Sequence, residues 1–335
     1  MPYLSAYPRA GQVALLCEGD LIGYEATLFQ KWTGTEFGNL PLIDIWPCGT
    51  QTSIFGVSDA IGRSRPIFVI EDRDFRSSEE ARSECTKHEK DRSGREIRVI
   101  GWVSWSRNEI ENYLLEPAVL LPVFCEAFAC SEGDVIKALN DILPALALFQ
   151  ACQHARACAR HTWSDSDPSA LLLSGLSLKP KWKDSPRTIA APDHETFRTG
   201  LEKNHRTWME RMQAVQCDVV AEFDERYKLW ANCQWSDDFW RTDWAGKETL
   251  QWLRIALTSR FGWPNPQSGD RESLQWDMSR DKIASQDRQV EAALRPRLID
   301  RFLEALPATL PQGIRDEFNA IKTAIDSFVR LSVQR

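Results

Sequence analysis

The sequence predicts an α/β fold in which a mainly parallel sheet flanked by helices is followed by a mostly α-helical C-terminal region. In the first third of the chain, short apolar runs alternate with stretches of helical periodicity, a pattern typical of βαβ units and a parallel sheet. Beyond about residue 118 the strand-like runs fade and helical periodicity dominates. These two observations decide the fold class.

Four short apolar runs are predicted to form the strands, over residues 13–17, 42–46, 67–70 and 97–103. Helical patterns follow the first two runs, from Gly19 through Trp32 and over residues 50–61. Residues 76–98 are dense in charges of both signs, so we expect a solvated helix and loop there.

Helical periodicity predicts six further helices, over residues 118–128, 132–160, 195–229, 247–260, 286–306 and 312–331. Residues 165–193 contain four prolines and are predicted to be a long connection. A chain of 335 residues exceeds an average domain of about 150 residues. We therefore predict an α/β domain over residues 1–117 and a helical region over residues 118–335.

Composition and charge exclude several classes of protein. The hydrophobic fraction of 43% and the charged fraction of 27% exclude disordered and fibrous classes. Apolar stretches are too short for a membrane span, and nine cysteines without a CxxC pair are expected to be free thiols, so we expect a cytoplasmic protein. The net charge of −7 argues against nonspecific coating of nucleic acid, which needs a basic surface.

Acidic residues follow three of the predicted strands. Glu18 ends the first, Asp72 and Asp74 end the third, and Glu109 and Glu111 follow the fourth. Ligands bind at the carboxyl ends of parallel strands, so we expect the first two groups to meet. In extended backbone, residues i and i+2 point to the same side, and a pair of carboxylates there suits Mg²⁺ or Mn²⁺.

A second metal site is expected from Glu109 and Glu111. Two metal ions about 4 Å apart can activate a water and stabilise the leaving oxygen in phosphodiester cleavage. The neighbouring acids Glu71 and Asp20 are expected to lie outside the group of direct metal ligands.

These motifs resemble the Toprim-like nucleases that are paired with ATPases in bacterial phage defence, such as PARIS effectors, and more distantly the overcoming-lysogenization-defect nucleases. The resemblance rests on Glu18-Gly19, on residues 67–75 with their Asp-x-Asp, and on Asn-Glu-Ile-Glu-Asn-Tyr-Leu-Leu at residues 108–115. It covers residues 13–117, while Gly246-Lys247 is similar to an element in the helical tail of such proteins.

The resemblance implies a Toprim-like fold and a role for each acid. Glu18 would be a metal ligand or a general acid or base. Asp72 and Asp74 would form the metal pair, and Glu109 and Glu111 would bind or position metal.

The resemblance also implies an activity. The chain would be a Mg²⁺-dependent endonuclease, the toxic effector of an anti-phage system, with RNA (tRNA in particular) ahead of DNA as substrate. Its partner would be an ABC- or SMC-type ATPase, and a homodimer stays open. Lys247 would contact phosphate or stabilise the transition state. Asn108 stands where family members often carry histidine, a departure that bears on activity if that histidine takes part in the chemistry.

A catalytically degenerate Toprim-like module is the alternative. Such a protein would dock on and regulate an ATPase through the Trp-rich helical region, where eight of the 14 tryptophans lie between residues 208 and 276. Core packing or partner docking accounts for them better than base stacking. Divalent-metal binding discriminates the enzyme from the module. A primase- or topoisomerase-like enzyme is a third interpretation, which 335 residues barely accommodate.

One basic segment is a weaker signal for nucleic-acid binding. Lys179, Lys181, Trp182 and Lys183 interleave basic and aromatic side chains, a combination that binds single-stranded nucleic acid by charge and stacking. A solvated surface connection is the simpler interpretation.

One helix face carries zinc-type donors. His154, Cys158 and His161 fall at i, i+4 and i+7, with Cys152 nearby. An incidental arrangement is the simpler interpretation, because a fourth ligand at a recognisable spacing is missing.

Overall fold

A computed structural model describes most of the chain. The described residues are 13–20, 22–36, 43–62, 65–73, 86–90, 96–161, 181–182, 189–190, 194–211, 218–264, 271–272 and 280–333. They form two compact units. The first unit holds the described residues up to Arg73, those from 86 to Leu114 and those from Leu298 onward, and the second holds Leu115–Arg297.

The first unit contains a five-stranded sheet. Its strands are β1 (Val13–Cys17), β2 (Ile43–Pro47), β3 (Ile67–Glu71), β4 (Thr86–Lys90) and β5 (Glu96–Ser104). The spatial order is β2-β1-β3-β5-β4, with the first four parallel and β4 antiparallel to β5 at one edge. The predicted α/β class with a mainly parallel sheet is confirmed.

The edge strand β4 corrects one prediction. Residues 76–98 were expected to form a solvated helix and loop, yet Thr86–Lys90 pairs with β5 in the register Thr86↔Gly101. An edge strand pairs on one side only and tolerates charged side chains, so its charge density does not prevent strand formation. Local periodicity carried no sign of this pairing.

The helices follow the predicted pattern closely. They are α1 (Tyr24–Glu36), α2 (Gln51–Ile61), α3 (Glu111–Leu114), α4 (Pro117–Phe128), α5 (Glu132–His161), α6 (His194–Arg211), α7 (Val219–Trp230), α8 (Phe239–Thr242), α9 (Gly246–Phe261), α10 (Arg280–Ala305) and α11 (Gln312–Val333). The single helix predicted over residues 195–229 is instead the pair α6 and α7. Two short strand pairs, 181–182 with 189–190 and 263–264 with 271–272, accompany the helices.

Aromatic rings join the C-terminal helix α11 to the core of the first unit. Phe318 lies 5.3 Å, between ring centroids, from both Trp32 of α1 and Trp105 after β5. Trp105 in turn stacks on Phe29 of α1 at 6.1 Å. Residues from Leu298 onward therefore belong with the α/β unit, whereas the predicted boundary at residue 117 had grouped them with the helical region.

The same helix packs on the sheet at Gly101 of β5. Phe328 of α11 meets Phe68 of β3 edge-to-face, with ring centroids 5.5 Å apart. A Cβ on Gly101 would lie only 2.3 Å from the ring of Phe68 and 3.1 Å from that of Phe328. A glycine is therefore required where these two rings cover the strand.

Tryptophans of the second unit fill its own core. Trp230, Trp240 and Trp244 are fully buried, and Trp230 and Trp244 contact each other edge-to-face at 5.7 Å. Gln150 of α5 adds hydrogen bonds to both backbone groups of Ala245. These three tryptophans therefore serve core packing, one of the two roles that the sequence predicts for the Trp-rich region.

Helix α5 is long and apolar enough to cross a membrane by length and composition over Glu132–Cys158. From the sequence no membrane span is expected, because the apolar stretches are too short. Two thirds of its most apolar window is buried inside the protein, which is consistent with the core helix of a soluble protein.

Candidate metal centre

Glu18 and Asp72 lie at the carboxyl ends of two adjacent parallel strands. β1 ends at Cys17 and β3 at Glu71, and the two strands pair directly. The backbone N–H of Asp72 donates a hydrogen bond to Oε1 of Glu18 over 3.3 Å. Parallel pairing thus brings together two acids that are 54 residues apart in the sequence.

The turn after Glu18 is held by a pair of glycines. Gly19 and Gly49 both have positive φ, +77° and +88°, and exchange backbone hydrogen bonds of 2.9 and 2.7 Å. L side chains rarely adopt this conformation. The ends of β1 and β2 are therefore tied together, and Glu18 projects from a fixed backbone.

Glu25, in the first turn of α1, is an acid that the sequence analysis missed. It is buried, and its Oε1 accepts a hydrogen bond from the indole of Trp105 over 3.1 Å. Burial chiefly raises the pKa of Glu25 well above its usual range, and the charges of Glu18 and Glu111 raise it further. The available signal was an acid among the apolar positions of a helix that packs on the sheet.

The loop after β5 places Glu109 and Glu111 near enough to Asp72 for their charges to raise its pKa. It is bound to the end of β3 by two backbone hydrogen bonds, Trp105 N–H to Glu71 O and Arg73 N–H to Asn108 O, of 3.1 and 3.0 Å. The side chain of Asn112 accepts from the N–H of Glu109 over 2.8 Å and so fixes the turn into α3. The family-like segment therefore has a structural role beside its acids.

Asn108 is completely buried in this loop, and its carbonyl accepts the bond from Arg73. At the position where the resembling family often has histidine, this chain thus carries a buried amide side chain. Its backbone carbonyl takes part in the hydrogen bonding that connects the carboxyl end of β3 to the loop after β5.

The acids act on one another electrostatically. Burial raises the pKa of Asp72 well above its usual range, and the charges of Glu25, Glu18, Glu109 and Glu111 raise it further. Four carboxylates thus lie near enough to Asp72 to disfavour its charged form in a partly buried site. Removing this repulsion requires protons or a bound cation.

Burial and the neighbouring acids disfavour the thiolate form of the nearby cysteines. Burial, with the charges of Glu25 and Glu18, raises the pKa of Cys48 to about 12, and burial also raises that of Cys17. A protonated thiol is a poor metal ligand. The donors of the site are carboxylate oxygens, which fit Mg²⁺ or Mn²⁺.

The two acids expected to lie outside the ligand group have other contacts. Glu71 is buried and accepts a 2.7 Å hydrogen bond from the hydroxyl of Ser104. Asp20 is exposed and accepts from the N–H of Ile22 over 3.1 Å.

The remaining predicted residues are Asp74, Lys247 and the basic segment at residues 179–183. Asp74, Lys179 and Lys183 lie outside the described residues, as do the side chains of Lys181 and Trp182. Lys247 is exposed in the first turn of α9, within the second unit. The described cluster therefore consists of Glu18, Glu25, Asp72, Glu109 and Glu111.

Comparisons with protein-family models, with curated proteins and with solved structures find no match for this chain. The likeness to Toprim-like nucleases therefore rests on the sequence motifs.

Proposed function

We propose that this chain is a Mg²⁺- or Mn²⁺-dependent phosphodiesterase, an endonuclease of the Toprim-like kind. The observation that carries the proposal is the convergence of five carboxylates at the carboxyl ends of β1, β3 and β5. Burial raises the pKa of Asp72, and the charges of the other four acids raise it further. Acids that raise one another's pKa in a partly buried site are costly as charged groups, and a hard divalent ion would offset that cost.

The buried acid Glu25 fits the same interpretation. Within the described part of the chain, its Oε2 is buried and has no hydrogen-bond partner. Glu18, Asp72, Glu109 and Glu111 would hold the metal, and Glu25 would orient or supplement them. Bound metal would supply positive charge that stabilises a phosphodiester in its transition state.

The chain's own residues set the geometry of this chemistry. The hydrogen bond from Asp72 N–H holds the carboxylate of Glu18 beside β3, where it would face a bound cation. The backbone hydrogen bonds between residues 71–73 and 105–108 hold the loop that carries Glu109 and Glu111 at the carboxyl end of β3. Positioning of this kind supplies much of the rate acceleration in phosphoryl-transfer sites.

The biological setting comes from the resemblance alone. It supports a toxic effector in anti-phage defence, restrained or activated by an ABC- or SMC-type ATPase, which cleaves RNA (tRNA in particular) ahead of DNA. Exposed Lys247 stays a candidate phosphate contact, and Asp74 a candidate partner of Asp72. A cytoplasmic location is part of the same proposal.

Cleavage by purified protein tests the enzyme. We expect Mg²⁺-dependent cleavage of RNA or DNA, lost on chelation and reduced by about 100-fold or more in Glu18→Gln and Asp72→Asn. Asp20→Asn is the matched control, because it removes a charge next to the same strand while an amide oxygen can still accept from Ile22. Sequencing nucleic-acid ends after induced expression identifies the substrate.

Wild-type-level cleavage by both Glu18→Gln and Asp72→Asn would overturn the proposal. A folded wild-type protein that binds neither Mg²⁺ nor Mn²⁺ would support the degenerate module instead. The burial of Trp230, Trp240 and Trp244 removes these three side chains from the docking face which that alternative invokes.

A further inference from the structure

Three donor groups meet between helices α5 and α7 of the second unit. His154 and Cys158 lie one helical turn apart on α5, and Glu222 reaches them from the first turn of α7. Their ligand atoms all lie within 4.8 Å of one another. No residue of the acidic cluster takes part, so this is a separate site.

The distances are those of metal ligands. Nδ1 of His154 lies 3.1 Å from Oε1 of Glu222 and 3.5 Å from Sγ of Cys158. With zinc–nitrogen and zinc–oxygen bonds of about 2.0–2.1 Å and a zinc–sulfur bond of about 2.3 Å, tetrahedral ligand atoms are separated by roughly 3.3–3.6 Å. Two of the three separations lie near this range, and the third is no more than 4.8 Å.

A nucleophilic relay does not fit this geometry. In a Cys-His-acid relay the thiol and the carboxylate contact different nitrogens of the imidazole. Here both contact Nδ1, which carries one proton at most. A shared cation explains the convergence of a thiol and a carboxylate on a single nitrogen.

The surroundings hold the donors in place. Glu222 also accepts from Nε of Arg226 over 2.9 Å, and the ring of His154 meets that of buried Trp230 edge-to-face at 5.8 Å. The side chains of His154 and Glu222 are only 12% and 22% exposed. A partly enclosed site with an oriented carboxylate and imidazole is typical of a metal centre.

We propose that His154, Cys158 and Glu222 bind a transition-metal ion of the zinc type. Thiolate, imidazole and carboxylate donors select such an ion over Mg²⁺, which prefers oxygen alone. The thiolate and the carboxylate together neutralise its two positive charges, and a fourth position remains for water or another side chain. The ion joins α5 to α7 and thereby stabilises the second unit.

A Co²⁺ titration of the full chain tests this site. The protein is first stripped with chelator and then kept in excess Mg²⁺, which occupies carboxylate-only sites. We expect one equivalent of Co²⁺ to produce a thiolate-to-cobalt charge-transfer band, and Zn²⁺ to abolish that band by displacement. Cys158→Ser should lose the band, and Glu222→Gln should bind Co²⁺ more weakly by about 10-fold or more.

Cys130→Ser is the matched control, because Cys130 is another partly exposed free thiol of the second unit. A second measurement needs no variant: Zn²⁺ should slow alkylation of Cys158 in the wild-type chain and leave that of Cys130 unchanged. Absence of the band in folded wild type, persistence of the band in Cys158→Ser, or equal alkylation of Cys158 with and without Zn²⁺ would each overturn the proposal. None of these readouts depends on nuclease activity.

Discussion

The carboxylate of Glu317 accepts two hydrogen bonds from Ser106, one from its backbone N–H and one from its hydroxyl, each 2.7 Å long. Glu317 lies on the C-terminal helix α11, and Ser106 opens the loop that carries Glu109 and Glu111. A helix more than 200 residues away in the chain thus positions one side of the candidate metal centre.

Glu317→Ala should release this loop. We expect a loss of about 1.5–3 kcal/mol in the free energy of unfolding, from two hydrogen bonds to a charged group. Affinity for Mg²⁺ should fall by about 10-fold or more because the acids lose their orientation. Calorimetry measures both. Asp316→Ala, an exposed acid beside it on the same helix, is the control, and equal effects from the two variants would contradict the positioning role.

Asp72→Asn and Glu25→Gln should stabilise the metal-free protein. Each replaces a carboxyl whose ionisation is disfavoured by burial and by the neighbouring acids, so we expect the free energy of unfolding at neutral pH to rise by about 1–3 kcal/mol. Both variants should lose part of the stabilisation that Mg²⁺ gives the wild type. Thermal unfolding with and without Mg²⁺ measures both the higher metal-free stability and the smaller gain from Mg²⁺. Asp20→Asn should behave as wild type in both conditions. A large drop in the metal-free stability of either variant would contradict the unfavourable electrostatic environment of these two carboxyl groups.

The raised pKa values of Asp72 and Glu25 predict a pH dependence of stability. A carboxyl group whose pKa is raised in the folded state contributes its full stabilisation at pH values below its ordinary pKa of about 4. That contribution is lost as the pH rises through the raised pKa. The advantage of Asp72→Asn over wild type should therefore grow from about pH 4 to neutral pH. Mg²⁺ binding should strengthen over the same range because it displaces protons. A pH-independent difference in unfolding midpoint would contradict both.

Gly101→Ala should destabilise the first unit. The added methyl group meets the ring of Phe68 at 2.3 Å, and overpacking of a core typically costs about 1–3 kcal/mol. Gly56→Ala on α2 is a control of opposite sign, since a Cβ there meets nothing within 4 Å and helical alanine is favoured by about 0.5–1 kcal/mol. Denaturant unfolding compares the two, and a neutral Gly101→Ala would mean that α11 does not cover β5 closely.

Arg254→Ala should destabilise the second unit strongly. The guanidinium of Arg254 makes two hydrogen bonds, of 2.8 and 3.1 Å, to the carboxylate of Asp287, and both side chains are buried. Loss of the cation leaves a buried carboxylate uncompensated, at about 3–5 kcal/mol. Arg301→Ala, which breaks a solvent-exposed pair with Glu304, should cost less than about 1 kcal/mol. Chemical denaturation of both variants checks the contrast.

Local patterns were enough to predict the strands of the parallel sheet and the acids at their ends. β1 has the predicted bounds, and β2, β3 and β5 begin and end within one residue of prediction. Parallel strands place their carboxyl ends at one edge, so the proximity of Glu18 and Asp72 followed from topology. The position of Glu109 and Glu111 near these acids could likewise be predicted, because both residues follow a strand of the same parallel sheet.

Contacts between distant segments could not be read in this way. Such contacts depend on which surfaces pack together. They include the pairing of the edge strand β4, the packing of α11 on the sheet, the position of Glu25 in the acidic cluster, and the contact of Glu222 with His154 and Cys158. Periodicity identifies the apolar face of a helix but not the element that covers it. The sequence by itself determined the four parallel strands and the acids that follow them, and tertiary packing decided which further strand and side chains joined them, because burial and charge act through space.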